Sequence, residues 1–213
     1  MLQGDSLSPT LFICFIADLA DALRTVSGLR VLLYADDLAM FADSNDPIKA
    51  GLHALQEWCT TNKIKVNTSK TKIVKFRRGG RHARSDIFQY GTVNLEVANK
   101  YDYLGITLQP TLTFTEHIKK RKIRAMAATG SLTGLRMTSI QTALKIFNMK
   151  IKPIATYGLD SVAQFLTAKQ LTDLDKAKAE FCKKSLALPR CSSSTLALKL
   201  CDTRTLVEDL VED

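Results

Sequence analysis

No uninterrupted apolar stretch in the 213 residues approaches the roughly 18 needed to cross a bilayer. The first residues also lack a basic segment followed by an apolar one, which disfavours membrane-spanning and secreted classes. Cysteine is sparse. Cys14, Cys59, Cys182, Cys191 and Cys201 are odd in number and form no C-x-x-C pair, so they read as reduced thiols in an intracellular protein rather than a disulfide framework. Cys191 and Cys201 have no histidine or second cysteine pair near them, which argues against zinc and leaves oxygen as the expected metal donor. Neither an internal repeat nor a low-complexity tract is present.

Acid is missing from two long stretches. Between Asn62 and Ser85, and again between His117 and Leu159, there are nine Lys or Arg and no carboxylate, whereas residues 1–57 are acidic. The net charge of +9 is therefore unevenly placed. One-sign stretches of this kind attract phosphate backbones and make binding salt-dependent. They also suit an ordinary solvated helix face. With 46% apolar residues the chain has enough to fill one sizeable core or two small ones.

Apolar residues Leu11, Phe12, Phe15, Ile16, Leu19 and Leu23 recur at three- and four-residue steps, predicting a buried-face helix over Ser8 to Val26 that Gly28 ends. A second helix opens at Asp46-Pro47, with Leu52, Leu55, Trp58 and Cys59 inward. Alternation over Lys63 to Phe76 predicts a turn at Asn67 to Lys70 and then a strand, followed by a flexible basic loop at Arg77 to Arg81. Short strands are expected within Thr92 to Val97 and Tyr101 to Leu108. Beyond Thr111 the pattern turns helical, which places a domain boundary between 1–110 and 111–213. Capping boxes are expected at Thr113/Glu116, Thr138/Gln141, Thr167/Gln170 and Thr205/Glu208. The helix after Thr138 shows one stripe, Ile140, Leu144, Phe147 and Ile151.

Between the first two helices lie two apolar runs of strand length, Leu29 to Tyr34 and Leu38 to Ala42, separated by Ala35-Asp36-Asp37. Hairpin turns ordinarily recruit Gly or Asn for their positive φ, so adjacent aspartates at the tip of a buried hairpin are not what folding alone selects. Asp also favours turns, so the tetrapeptide alone leaves a plain structural role open. Upstream stands Gln3-Gly4-Asp5-Ser6-Leu7-Ser8-Pro9, immediately before the first helix. Gln-Gly-Asp-Ser-Leu-Ser-Pro-Thr-Leu-Phe followed by Tyr34-Ala35-Asp36-Asp37 resembles the palm of reverse transcriptases, and most closely those of non-LTR (LINE-type) retrotransposons.

That resemblance implies an α+β fold: a partial right-hand polymerase palm, a split βαββαβ lacking its first strand, followed by a mainly helical thumb. It implies RNA-directed DNA synthesis, with Asp36 and Asp37 as catalytic carboxylates binding Mg2+ (or Mn2+) and Lys70 near the triphosphate. Gln3, Gly4, Asp5, Tyr34 and Ala35 would form the nucleotide and primer-end pocket. Tyr103-Leu104-Gly105 resembles the primer grip, and Lys119, Lys120, Arg121, Lys122 and Arg124 would track the duplex backbone. His117 is read as a helix-start residue without chemical consequence. Implied partners are an RNA template, a DNA primer, deoxynucleoside triphosphates and the remaining upstream part of the polymerase, acting in the nucleus.

The family's further metal-binding aspartate, on a strand ahead of the Gln-Gly motif, has no counterpart here. The isolated chain is therefore expected to be inactive and poorly stable, with unpaired inner strand edges. A second reading remains: a non-catalytic nucleic-acid-binding remnant or repurposed element protein that keeps the basic second half.

Overall fold

The computed structural model describes residues 6–77 and 86–208. Helices and small sheets are mixed, an α+β architecture. Contacts divide the chain into two compact units, Met1–Lys75 with Gly79–Ala98 and Phe76–Arg78 with Asn99–Asp213.

In the first unit, α1 (Ser8–Arg24) starts with Pro in its first turn, where the missing N–H costs nothing. Its residues Ile16, Leu19 and Leu23 meet Leu55, Trp58 and Cys59 of α2 (Asn45–Thr61). Strands β1 (Arg30–Tyr34) and β2 (Asp37–Phe41) pair antiparallel and lay Val31, Leu33, Leu38 and Met40 on the same core. The expected buried face of α1 is shorter than its apolar pattern. Among the described residues α1 packs mainly on α2 and β1, and Leu11 and Phe15 stay 53% and 45% exposed. Leu52, nearer the start of α2, packs on Phe88 and Leu95.

The alternating segment after α2 yields a turn at Asn67, whose side chain accepts from Lys70 N–H, and then only two strand residues. Here β3 (Lys72–Ile73) runs parallel to β6 (Glu96–Val97), while β4 (Gln89–Tyr90) and β5 (Val93–Asn94) form a separate hairpin. Among the described residues the strands make four two-stranded sheets and no continuous one.

The second unit opens with the hairpin β7 (Tyr101–Tyr103) and β8 (Ile106–Leu108), which packs on α3 (Thr115–Ser131). Helix α3 also packs on α7 (Ala168–Ser185), and α7 on α8 (Ser194–Leu200). Between them a helical run comprises α4 (Ile140–Ile146), a wide π-turn (Phe147–Ile151) and α5 (Lys152–Thr156), followed by α6 (Leu159–Val162). Pro153 lacks the N–H that would close an α-helical bond, so the helix widens just ahead of it. Of the expected stripe, Phe147 and Ile151 are buried and are joined by Ala143 and Ala155, whereas Ile140 is 38% exposed. Small alanines here let Phe147 reach Phe181, with ring centroids 5.1 Å apart.

Capping differs from expectation in two of four places. Thr167/Gln170 is a complete capping box, and Thr205 and Glu208 exchange both reciprocal bonds. At α4 the cap is Ser139, one residue later than expected, accepting from Thr142 N–H. Phe114 starts α3 in the left-handed region at φ 52°, so Thr113 lies too far out to cap it. None of the helices is long and apolar enough to cross a membrane, among the described residues. Cys59, Cys182 and Cys201 are buried free thiols.

Candidate active site and nucleic-acid interface

Strand pairing of Tyr34 with Asp37 leaves Ala35 and Asp36 as the two central residues of a two-residue hairpin turn. Ala35 takes φ 51°, a left-handed conformation that an L-residue other than Gly occupies at roughly 1–2 kcal/mol. Asp36 and Asp37 are both exposed at the tip. The hairpin is not buried on both faces as its two apolar runs suggested. Successive side chains alternate, so Val31 and Leu33 face the core while Leu32 and Tyr34 stand 56% and 64% exposed. Tyr34, Ala35, Asp36 and Asp37 thus come together on one open turn.

Chemically, two adjacent carboxylates suit a hard divalent cation that retains waters and phosphate oxygens, as magnesium does. They do not close a cage by themselves: among the described residues no three His, Cys, Asp or Glu gather as a metal-holding group. Lys70 is exposed on the Asn67 turn, a separate element. Gln3, Gly4 and Asp5 lie outside the described residues, as does most of the basic loop at Arg77 to Arg81.

In the second unit, Tyr103 pairs with Ile106, leaving Leu104 and Gly105 at the centre of another two-residue turn. Both have positive φ, 46° and 79°, the I′ geometry that matches strand twist. Both turn carbonyls are held from outside the hairpin. Tyr157 Oη–H donates to Leu104 O at 2.8 Å, and Arg121 Nη2–H donates to Gly105 O at 2.6 Å. The Arg121 guanidinium lies 4.7 Å from the centre of the Tyr157 ring.

His117 completes this anchor and is fully buried, not a bystander at a helix start. Thr107 N–H donates to Nδ1 at 3.3 Å, and Nε2 lies 3.1 Å from Tyr157 O. A peptide N–H needs a lone pair on Nδ1, and a carbonyl needs a proton on Nε2, so both bonds are satisfied by the neutral Nε2–H imidazole. Burial pushes its pKa below the usual histidine value, and Arg121 and Lys120 add to the effect. Gly158, at φ 76°, closes the arrangement: a Cβ there would fall 2.9 Å from Ile106 Cγ1. Neither His117 nor Tyr157 was recognisable as an anchor from sequence. A lone His opening a basic helix and a Tyr-Gly forty residues later carry no local signal of pairing.

The five cations of α3 are sorted by their surroundings. Lys120 grips Asp102 at 2.7 and 2.8 Å, which together with the Thr107 hydroxyl holds that carboxyl below its ordinary range. Lys122 faces Asp173 at 3.4 Å, and Arg121 is 6% exposed. Lys119 and Arg124 stand exposed.

A reverse transcriptase (RNA-dependent DNA polymerase) family profile matches residues 1–108. The chain is similar to "RNA-directed DNA polymerase from mobile element jockey" of Drosophila funebris, 28% identical over 175 residues that cover 74% of this chain and 18% of that protein. "Probable RNA-directed DNA polymerase from transposon BS" of Drosophila melanogaster is 30% identical over 171 residues, 74% of this chain and 19% of its own length. The Drosophila melanogaster jockey polymerase is 28% identical, with 74% and 18% covered. This chain thus spans under a fifth of the length of these relatives. No solved structure matches it.

Proposed function

Because the chain belongs to the reverse transcriptase (RNA-dependent DNA polymerase) family, we propose that it is part of a non-LTR (LINE-type) retrotransposon polymerase, the carboxyl-terminal portion of the palm and the thumb. The reaction is extension of a DNA primer on an RNA template. The observation that carries this reading is the two-residue turn that holds Asp36 and Asp37 exposed side by side behind a left-handed Ala35.

In this reading Asp36 and Asp37 hold Mg2+, or Mn2+ in its place. When bound, the metal lowers the pKa of the primer 3′ hydroxyl and neutralises charge on the triphosphate. Tyr34 and Ala35 lie under the primer end, and the methyl of Ala35 leaves room for the nucleic acid to approach. Gln3, Gly4 and Asp5 shape the nucleotide pocket. Lys70 faces the triphosphate and gives its proton to the leaving pyrophosphate. The Tyr103–Gly105 turn supports the primer backbone, and its two anchored carbonyls keep it rigid for that task. The remainder of the polymerase is a necessary partner, since two carboxylates do not complete a metal cage, and the place of action is the nucleus.

The test is metal-dependent primer extension on an RNA template by the element polymerase that contains this chain, with and without Asp36→Asn. Loss of at least about 100-fold in rate is expected, since a metal ligand that stabilises transition-state charge is removed. Extension that survives Asp36→Asn unchanged would sink the assignment. A second reading, nucleic-acid binding without catalysis, is favoured by the exposed cations on α3. It requires salt-sensitive binding that Asp36→Asn leaves alone, with no extension by either protein.

A further inference from the structure

One cleft of the second unit is walled by apolar groups that its own fold leaves uncovered. It lies along α3 and α5, which pack on one another, has a volume of about 490 Å³, and is lined by Arg121, Arg124, Ala127, Pro153, Ile154 and Tyr157. Ala127 and Pro153 are exposed, Ile154 is half-buried and Tyr157 is 48% exposed. Ile123, one turn before Ala127 on α3, is 56% exposed and lengthens the apolar strip. A cleft of this size holds a bulky apolar group, and covering its walls is favourable in proportion to the area removed from water.

Charge narrows the choice of occupant. No carboxylate lines the cleft, and none occurs in the sequence from Ile118 to Gly158. Arg121 is buried and engaged by the Gly105 carbonyl and the Tyr157 ring, which leaves Arg124 as the exposed cation among the lining residues. A single exposed guanidinium beside apolar walls is a poor track for a polyanion, whose affinity comes from several phosphate contacts. It suits a ligand that carries a carboxylate next to a large apolar side chain. A groove between two packed helices is also the shape into which a third helix lays its apolar face, with anchors three or four residues apart. We propose that this cleft docks an acidic amphipathic helix of a protein partner. A Leu, Phe or Trp side chain enters between Ala127, Pro153, Ile154 and Tyr157, a second anchor one turn away rests on Ile123, and a flanking Asp or Glu pairs with Arg124. The docking is independent of the polymerase reading, since it uses no nucleic-acid contact. Tyr157 and Arg121 line the cleft and also hold the Leu104 and Gly105 carbonyls, so a docked helix bears on the two side chains that fix that turn.

The probe is a fluorescein-labelled synthetic helix with Trp and Leu one turn apart among Glu and Ala, titrated with the purified chain and read by fluorescence anisotropy. A peptide of the same composition, with Trp and Leu moved to opposite faces, is the control. The first peptide is expected to bind at least about 10-fold more tightly than the control. Ala127→Gln sets a polar amide in the cleft without changing the charge, at an exposed helix position that tolerates Gln, and a thermal melt checks the fold. It is expected to weaken the first peptide by about 10-fold and to leave the control unchanged. Equal binding of the two peptides to the wild-type chain would overturn the proposal, because the attraction would then be that of charge alone. An Ala127→Gln variant that binds the first peptide as the wild type does would overturn it too. An RNA–DNA hybrid titrated in parallel tests the rival occupant. Its affinity should not respond to Ala127→Gln, and a loss equal to that of the peptide would give the cleft to nucleic acid instead.

Discussion

His117 shows how a single side chain can set the pH range of a fold. Its ring is surrounded by Arg121 and Lys120 from α3, by Asp102 and Thr107 from the β7–β8 hairpin, and by Tyr157 after α5. Protonation would place an N–H opposite the Thr107 N–H, so the folded state holds the ring neutral and its pKa lies below 6.5. The unfolded chain takes up that proton first as the pH falls. Stability is therefore fully present above about pH 6.5 and declines as the pH drops toward the depressed native value, by up to about 1.4 kcal/mol per pH unit. Asp102, held low by Lys120, loses its contribution only below the ordinary carboxylate range. Half-buried Asp175 is raised by desolvation and acts in the opposite sense nearer that range. Urea midpoints of the second unit between pH 5 and 7.5 should fall on acidification in the wild type. In His117→Gln they should be lower throughout but flat, and a slope that survives in the variant would exclude His117 as its source.

At the scale of elements, the two hairpin turns solve the same problem differently. Leu104-Gly105 supplies positive φ at both central positions with a glycine in one, whereas Ala35-Asp36 puts an alanine in the left-handed region. A strained residue directly before an exposed carboxylate of the proposed metal site is what a turn set by its site, rather than by folding alone, would show. Ala35→Val is expected to destabilise the first unit by about 1–2 kcal/mol, because a β-branched residue is poorly tolerated at positive φ. Ala35→Gly should not. Chemical denaturation followed by Trp58 fluorescence compares them, and a valine variant as stable as wild type would mean that the turn has no left-handed requirement. The hairpin and its aspartates were legible in the sequence because turn residues and strand alternation are local signals. So were α1, α2 and the Thr167 capping box. What escaped depended on distant partners: the exposed outer face of the hairpin, the π-turn before Pro153, and the anchoring of Leu104 and Gly105 by Tyr157 and Arg121. Charge counting likewise marked α3 as basic but could not show that Lys120, Arg121 and Lys122 are engaged within the unit.

For the whole molecule, the two units differ in how many apolar side chains they gather into one fully buried core. In the second, Ala125, Phe147, Ala155, Leu174, Ala177, Phe181 and Leu206 from several helices are all fully buried in one core. In the first, α1 and the β1–β2 hairpin leave Leu11, Ile13, Phe15, Leu32 and Tyr34 substantially exposed. Local opening free energy follows buried apolar contact, so the units should not exchange backbone protons alike. Amides of α7 around Leu174 to Phe181 are expected to show the highest protection. Those of β1 and β2 should exchange at least about 10-fold faster, a difference of about 1.4 kcal/mol. Hydrogen exchange read by mass spectrometry on peptides from each unit measures this directly. Equal protection of Leu32–Tyr34 and Leu174–Phe181 would mean that the exposed hairpin face is covered in solution, by association of the chain with itself. Dilution would then restore the difference, since an intermolecular cover weakens with concentration whereas an intramolecular one does not.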